Sequence, residues 1–107
     1  MEVHKELGAG FLERVYHEAI SIELESRDIP FVSEYELPVF FKGHQLQTKY
    51  RVDFFCYSSI PVEIKALDAL TGKEIAQEIN YLKSCRQKKG LLFNFGAESL
   101  QYKRFAN

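Results

Sequence analysis

The chain has 107 residues, of which 46% are hydrophobic, 14% aromatic and 27% charged, and its formal net charge is −1. This length suits one domain over residues 1–107, and the composition excludes disordered, collagen-like and low-complexity chains. The apolar runs are far shorter than the ~20 residues that a membrane span requires, so no membrane partner is expected.

Charge is unevenly distributed along the chain. Residues 1–36 carry nine acidic and three basic side chains, a balance of −6, whereas the remainder carries six acidic and eleven basic side chains, a balance of +5. The basic residues are densest at Lys83, Arg86, Lys88 and Lys89. This cluster is typical either of a solvated helix end, whose cations suit the helix dipole, or of a surface that faces phosphates.

The opening residues and the cysteines predict a cytoplasmic protein. The chain starts without a basic leader or an apolar stretch, so no secretory signal is expected. Cys56 and Cys85 lie in different segments and form no CxxC pair. They are therefore interpreted as packing residues, not as metal ligands or nucleophiles.

An amphipathic helix is predicted from Val3 to Leu24, where apolar residues recur every three or four positions. Gly8 and Gly10 interrupt this pattern. Each internal glycine costs about 1 kcal/mol relative to alanine, so the pair indicates either tight backbone packing or a break in the first turns. Pro30 ends the helix, because the residue before proline is disfavoured in the α region.

Three strands are predicted next. The first covers residues 31–41 and contains Pro38, which indicates an edge strand or a bend because proline donates no ladder hydrogen bond. After a turn at residues 42–44, the second strand runs from Gln45 to Tyr57 and the third from Pro61 to Ala66.

A second helix and two further strands complete the chain. Thr71 and Glu74 form a capping-box pattern, and the helix is predicted to end at Gly90. Its expected buried stripe is Ile75, Ile79 and Leu82. Strands are predicted over residues 90–95 and 99–105. The resulting order, αβββαββ, predicts an α/β fold with a mixed central sheet flanked by helices.

The hairpin between the second and third strands gathers charged side chains. A turn centred on Ser58 places Asp53 opposite Glu63, and directly opposed residues share a face. The two-residue period of a strand puts Lys65 on that face as well. The plain alternative is a surface ion pair between Glu63 and Lys65, with Asp53 solvated.

A divalent cation would offset the repulsion between Asp53 and Glu63. Opposed like charges destabilise a sheet, and half-buried ones more so. Two carboxylates, a backbone carbonyl and waters are the hard oxygen ligands that suit Mg²⁺ or Mn²⁺. The Lys65 ammonium would donate to the charge that develops when a phosphodiester is attacked. The three histidines lack metal-ligand spacing, so zinc is not expected.

Two motifs carry a resemblance to a known family. Asp53 precedes Glu63-Ile64-Lys65 by ten residues, and the stretch Gly10-Phe11-Leu12-Glu13-Arg14-Val15-Tyr16 spells a GxxExxY signature. The chain resembles the GxxExxY protein family, a branch of the metal-dependent PD-(D/E)XK nuclease superfamily. The resemblance covers nearly the whole chain and implies a restriction-endonuclease-like core.

The resemblance also implies roles for individual residues. Asp53, Glu63 and the Ile64 carbonyl would hold the metal, and Glu13 would help to hold the metal or its water. Lys65 would orient or deprotonate the attacking water, and Gln77 would touch that lysine or the substrate. Tyr16 and Tyr81 are interpreted either as substrate-binding or as core residues. The remaining substrate contacts are expected from Lys83, Arg86, Lys88 and Lys89.

The function predicted from these residues is metal-dependent hydrolysis of nucleic-acid phosphodiester bonds, with Mg²⁺ or Mn²⁺ as cofactor. DNA is favoured over RNA as the partner. The near-neutral charge predicts weak binding alone, so a homodimer or a partner protein is expected to add affinity. Two alternatives stay open: a non-catalytic nucleic-acid- or protein-binding module on a nuclease fold, and a phosphoesterase acting on nucleotides.

Overall fold

The structure of the protein is a computed structural model that describes residues 2–106. Met1 and Asn107, the ends of the predicted domain, lie outside the described residues. The elements in chain order are α1 (Glu2–Leu7), α2 (Glu13–Ser26), β1 (Phe31–Phe41), β2 (His44–Cys56), β3 (Ile60–Lys65), α3 (Gly72–Ser84), β4 (Lys89–Asn94) and β5 (Gln101–Ala106).

Within residues 2–106 the strands form one five-stranded sheet in the order β1-β2-β3-β4-β5. Strands β3 and β4 are parallel, and the other neighbours are antiparallel. The predicted α/β class and mixed sheet are confirmed. Pro38 lies in β1, the strand at one edge of the described sheet, where its missing N–H removes no ladder bond from a central position.

The first helix is broken, so the prediction of one continuous helix from Val3 to Leu24 is wrong and the alternative of a break is confirmed. Gly8 and Gly10 separate α1 from α2 and have φ angles of 70° and 100°, which glycine adopts readily. The Tyr16 hydroxyl fixes this break: it donates to the Gly8 carbonyl at 2.6 Å and accepts from the Phe11 N–H at 3.3 Å.

Helix α3 begins as predicted but ends earlier. Thr71 Oγ1 accepts from the Lys73 N–H, and Glu74 Oε2 accepts from the Thr71 N–H at 2.9 Å, so the capping box is confirmed. The predicted end at Gly90 is wrong, because α3 ends at Ser84 and Gly90 lies inside β4. A Cβ atom at Gly90 would lie 2.6 Å from Leu82 Cδ1, so glycine permits the close packing of α3 on β4.

The two faces of the sheet are covered by different helices. On one face, α2 packs through Tyr16 and Ile20 against Phe54, Val62 and Ile64. Helix α3 covers the other face, where Leu82 meets Gly90. Because side chains alternate along a strand, Glu63 points to this face, opposite to its neighbours Val62 and Ile64.

Both cysteines are packing residues, as predicted. Cys56 and Cys85 are buried free thiols within the described chain, and burial raises the pKa of each. None of the helices between residues 2 and 106 combines the length and hydrophobicity that crossing a membrane would need.

Candidate metal and acid site

The candidate site lies where β2 and β3 separate. The two strands pair over only three residues, from Phe54 with Val62 to Cys56 with Ile60, which confirms the predicted register centred on Ser58. Beyond these three residues β2 stays paired only with β1, whereas β3 stays paired with β4 as far as Lys65. At the resulting fork, the Ile64 N–H donates to Asp53 Oδ2 at 2.7 Å, so a carboxylate satisfies this backbone donor.

Glu63 lies beside Asp53 and is strongly perturbed. The same register, continued by one residue, puts the two residues opposite each other. Only 7% of Glu63 is exposed, and its Oε1 has no hydrogen-bond partner among the described residues. Burial first, and then the charges of Asp53 and Glu78, raise the pKa of Glu63 to about 9. The site therefore favours a protonated Glu63 until a cation approaches.

Helix α2 brings Glu13 toward the fork. Glu13 is the first residue of α2, and it lines a recess of about 550 Å³ together with His17 and Asp53. Burial raises the pKa of Glu13, the positive charge of Lys65 lowers it, and the negative charge of Asp53 raises it again. The charges of Lys65 and Asp53 thus both act on Glu13, and the charge of Asp53 also acts on Glu63.

The recess also contains His17, which the sequence analysis did not assign. Its ring stacks on Phe54 with a centroid separation of 4.4 Å, and its buried Nε2 has no hydrogen-bond partner in the described part of the chain. The spacing to Glu13 is the signal that points to it, because residues four apart share one side of a helix.

Glu78 is the second residue that the sequence analysis missed. It is 4% exposed, and the Tyr50 hydroxyl donates to its Oε2 at 3.1 Å. Burial, the largest cause, raises the pKa of Glu78 to about 7, although Tyr50 and Lys65 oppose the rise. Glu78 follows Ile75 by three residues and precedes Leu82 by four, so helical periodicity already places it on the buried side of α3.

Gln77 and Tyr81 lie on another side of α3. Both line an open groove of about 630 Å³ between α3 and Val39 of β1. Tyr81 is 38% exposed and stacks on Tyr50 with a centroid separation of 4.1 Å. The structure therefore gives Gln77 an exposed position along the groove, whereas its neighbour Glu78 is the α3 residue that faces the acids.

Tyr16 has a structural position. Its side chain is fully buried, stacks on Phe95 at 5.0 Å and holds the Gly8 carbonyl. Of the two interpretations of Tyr16, the structure supports the core residue, because a side chain without exposed surface does not contact a substrate.

The basic cluster lies away from the carboxylates. Lys83 is in the last turn of α3, the Arg86 guanidinium covers the Phe40 ring at 3.8 Å, and Lys88 precedes β4. Lys89 begins β4, which runs parallel to β3. The cluster therefore lies toward the start of these strands, whereas Lys65 is at the end of β3.

The donor set fits a hard divalent cation. Asp53 and Glu63 offer carboxylate oxygens, and the unpartnered Glu63 Oε1 is a buried acceptor that a cation would satisfy. Between residues 2 and 106, no three His, Cys, Asp or Glu side chains converge into a ready-made metal cage. Mg²⁺ commonly uses one or two protein carboxylates and keeps several waters, so two such ligands are sufficient for it.

Comparisons with known proteins give a family and a fold. A family model described as the PD-(D/E)XK nuclease superfamily matches residues 1–105. The crystal structure of SSO0001 superposes with a TM-score of 0.66 at 20% sequence identity, covering 88% of this chain and 49% of that one. This chain thus spans about half the length of that structure, and the likeness shows the fold alone. No curated protein matches the sequence.

Proposed function

This chain belongs to the PD-(D/E)XK nuclease superfamily, and from that membership we propose that it is a metal-dependent nuclease of the GxxExxY branch. Its reaction would be hydrolysis of nucleic-acid phosphodiester bonds. The observation that carries the proposal is the meeting of Asp53 and Glu63 at the fork between β2 and β3, where Asp53 and the Lys65 ammonium both act on Glu13.

The metal would be Mg²⁺ or Mn²⁺, held by Asp53, Glu63 and the Ile64 carbonyl, with Glu13 holding a metal-bound water. When bound, such a cation polarises a phosphoryl oxygen and acidifies a water. The Ile64 N–H keeps Asp53 Oδ2 fixed at 2.7 Å, so this carboxylate is oriented before a ligand arrives. Glu63 would release its proton as the site is loaded, because metal-binding carboxylates must be ionised.

Lys65 would act on the attacking water and on the phosphate. It is the last residue of β3, two positions after Glu63, so both side chains project to the same face of the sheet. Its positive charge opposes the rise that burial causes in the pKa of Glu13 and of Glu78. An ammonium in this position orients a water near the acids and stabilises negative charge that develops on the phosphate.

The substrate is proposed to be a nucleic acid, with DNA favoured over RNA. Tyr81, half-exposed beside the α3 groove, offers a ring on which a base can stack. The basic residues offer contacts to the phosphate backbone further along the strand. These residues are Lys83, Arg86, Lys88 and Lys89. A homodimer or partner protein and a cytoplasmic location stay predictions.

Cleavage of labelled nucleic acids tests the proposal. The purified protein would be incubated with single- and double-stranded DNA and RNA in Mn²⁺, in Mg²⁺ and in excess chelator. We expect metal-dependent cleavage that the Lys65→Ala variant loses. Lys103→Ala is the matched control, because Lys103 is an exposed lysine on β5 and its loss changes the net charge equally.

Each other outcome selects an alternative. Cleavage that survives Lys65→Ala unchanged excludes this site as its source. Turnover of small phosphodiesters without polymer cleavage favours a phosphoesterase that acts on nucleotides. Binding of nucleic acid without Mn²⁺ binding or cleavage, retained in Lys65→Ala, favours the non-catalytic module.

A further inference from the structure

The distal half of the β1–β2 hairpin, residues 38–49, forms an arm with an exposed tip. Among residues 2–106 its two strands pair only with each other, since β1 is an edge strand and β2 pairs with β3 only over residues 54–56. Every residue from 41 to 49 is exposed. Lys42 and Gly43 form the turn with φ angles of 49° and 79°, and a tight two-residue hairpin turn requires positive φ at both positions. The tip is therefore only two strands wide.

The root of the arm is fixed on α3 and the residues that follow it. On β2, the Tyr50 ring stacks on Tyr81 with centroids 4.1 Å apart, and its hydroxyl donates to Glu78 Oε2 at 3.1 Å. On β1, the Phe40 ring lies under the Arg86 guanidinium at 3.8 Å. Both strands of the arm are thus held at their base, and the basic cluster that contains Arg86 adjoins the arm.

The arm and its root carry only positive charge. Residues 37–51 contain Lys42, Lys49 and Arg51 but none of the fifteen acidic residues of the chain. Neither of the two lysines forms an ion pair within the part of the chain that the structure describes. A basic surface that no carboxylate neutralises attracts a polyanion, and nucleic acid is the polyanion with a charge on every phosphate.

The tip also exposes groups that read base edges. Gln45 and Gln47 present side-chain amides on β2, and Phe41, 59% exposed, presents an apolar ring at the end of β1. Glutamine pairs with adenine through two hydrogen bonds, and phenylalanine contacts the methyl group of thymine. The tip therefore combines phosphate-binding cations with base-reading side chains.

The dimensions of the arm fit duplex DNA. Two paired strands lie about 4.8 Å apart, and the major groove of B-DNA, about 12 Å wide, admits a two-stranded ribbon. The major groove of duplex RNA is too narrow for side chains to read. His44 at the tip is nine residues from Asp53 along β2, hence at most about 30 Å away, which is within one ~34 Å turn of B-DNA. One duplex can therefore contact both the tip and the fork.

We propose that the arm binds duplex DNA by entering its major groove. Lys42 and Lys49 would contact phosphates on either side of the groove. Gln45, Gln47 and Phe41 would meet the base edges. This inference rests on the proposed function, because it names duplex DNA as the substrate class of the site at the fork.

Binding of labelled duplex DNA, measured by fluorescence anisotropy in excess chelator, tests the arm without cleavage. Lys42→Gln/Lys49→Gln should bind about 10-fold more weakly at ~0.1 M salt. The slope of log affinity against log salt concentration should become shallower by about 2, one for each lysine. Lys5→Gln/Lys103→Gln is the matched control, because both lysines are exposed outside the arm and the net charge changes equally.

Phe41→Ala separates base contacts from phosphate contacts. It should weaken the binding of duplex DNA several-fold and leave the salt slope unchanged, because it removes no charge. Duplex RNA and single-stranded DNA of the same length should bind more weakly than duplex DNA and should respond less to the arm substitutions. Circular dichroism of each variant verifies that it is folded.

Unchanged affinity in Lys42→Gln/Lys49→Gln, or an equal loss in the control, would overturn the role of the arm, and so would equal losses for single-stranded DNA. Loss of a dimer in the arm variant with unchanged DNA affinity would assign the arm to a second copy of the chain instead. Lys65-dependent cleavage with arm-independent binding would leave the proposed nuclease intact. Arm-dependent binding without metal-dependent cleavage would support the arm and overturn the nuclease.

Discussion

The two faces of β3 carry opposite kinds of chemistry within six residues. Val62 and Ile64 point toward α2 and are buried among apolar side chains, with 7% and 1% of their surfaces exposed. Glu63, between them, is buried to the same extent against α3, but beside Asp53 and Glu78. Burial is therefore equal on the two faces, and only one of them gains stability from it.

This contrast separates the residues that fold the chain from those that act. Removing Val62 or Ile64 from water stabilises the fold, since buried apolar area contributes about 25 cal/mol per Å². Burying Glu63 without a partner for Oε1 works against the fold. Such local destabilisation is typical of functional sites, where titratable groups are held with perturbed pKa values.

The largest expected effect comes from Glu63→Gln, which keeps the shape of the side chain and removes its charge. Cleavage should fall by about 1,000-fold, since the charge stabilisation that a metal supplies amounts to several kcal/mol. The free energy of unfolding without metal should stay the same or rise, because the perturbed carboxylate is gone. Single-turnover cleavage and urea unfolding measure the two effects. Loss of stability with unchanged cleavage would reverse the roles of the two faces.

Ile64→Ala tests the apolar face. Because Ile64 is 1% exposed, truncation should lower the free energy of unfolding by about 3 kcal/mol. Mn²⁺ affinity of the folded fraction should stay close to wild type, since the Ile64 contribution to the site is its backbone. Ile22→Ala is the matched control: Ile22 is 70% exposed, so its truncation should change stability by less than about 0.5 kcal/mol. Equal losses of unfolding free energy in Ile64→Ala and Ile22→Ala would contradict the conclusion that the buried apolar face of β3 stabilises the fold.

The acid face of β3, which carries Glu63 beside Asp53, was predicted from sequence as far as local geometry determines it. A short turn fixes the register of a hairpin, and here Tyr57 and Ser58 both take φ angles of 54°, as in the tight turns that suit hairpins. Asp53 and Glu63 could therefore be set opposite each other before the structure was known. The capping box at Thr71 was predictable for the same reason, since all its hydrogen bonds lie within four residues.

The remainder of the site depends on tertiary packing. The rotation of α3 about its axis decides whether Gln77 or Glu78 faces the acids, and the contact of Leu82 with Gly90 helps to set that rotation. Tyr16 lies in the GxxExxY signature, yet its role depends on the Gly8 carbonyl, which becomes available only when the first helix breaks. Periodicity alone did not distinguish a broken helix from a continuous one.

The pH dependence of Mn²⁺ affinity tests how far the pKa of Glu63 is raised. The pKa of Glu63 is about 9, well above its ordinary value of 4.5, so at neutral pH a cation must displace a proton. Affinity should therefore rise with pH, by about tenfold per unit below the pKa, or about 100-fold between about pH 6 and 8. Calorimetry in buffers of different ionisation heat counts the released proton. An affinity that is independent of pH in this range would mean that Glu63 is already ionised.

The smallest effect should come from Thr71→Ala, at the start of the helix that carries Glu78. Thr71 accepts from the Lys73 N–H and donates its own N–H to Glu74, and both ends of this capping box are exposed. Losing the Thr71 hydroxyl should lower the free energy of unfolding, measured with urea, by about 1 kcal/mol. Thr48→Ala, in an exposed part of β2, should cost less. The affinity for Mn²⁺ should not change, because the cap is exposed whereas the buried Leu82 packs α3 against Gly90. A lower Mn²⁺ affinity in Thr71→Ala would mean that the cap positions Glu78, whose charge acts on Glu63, and the acidic face of β3 would then depend on a local folding signal.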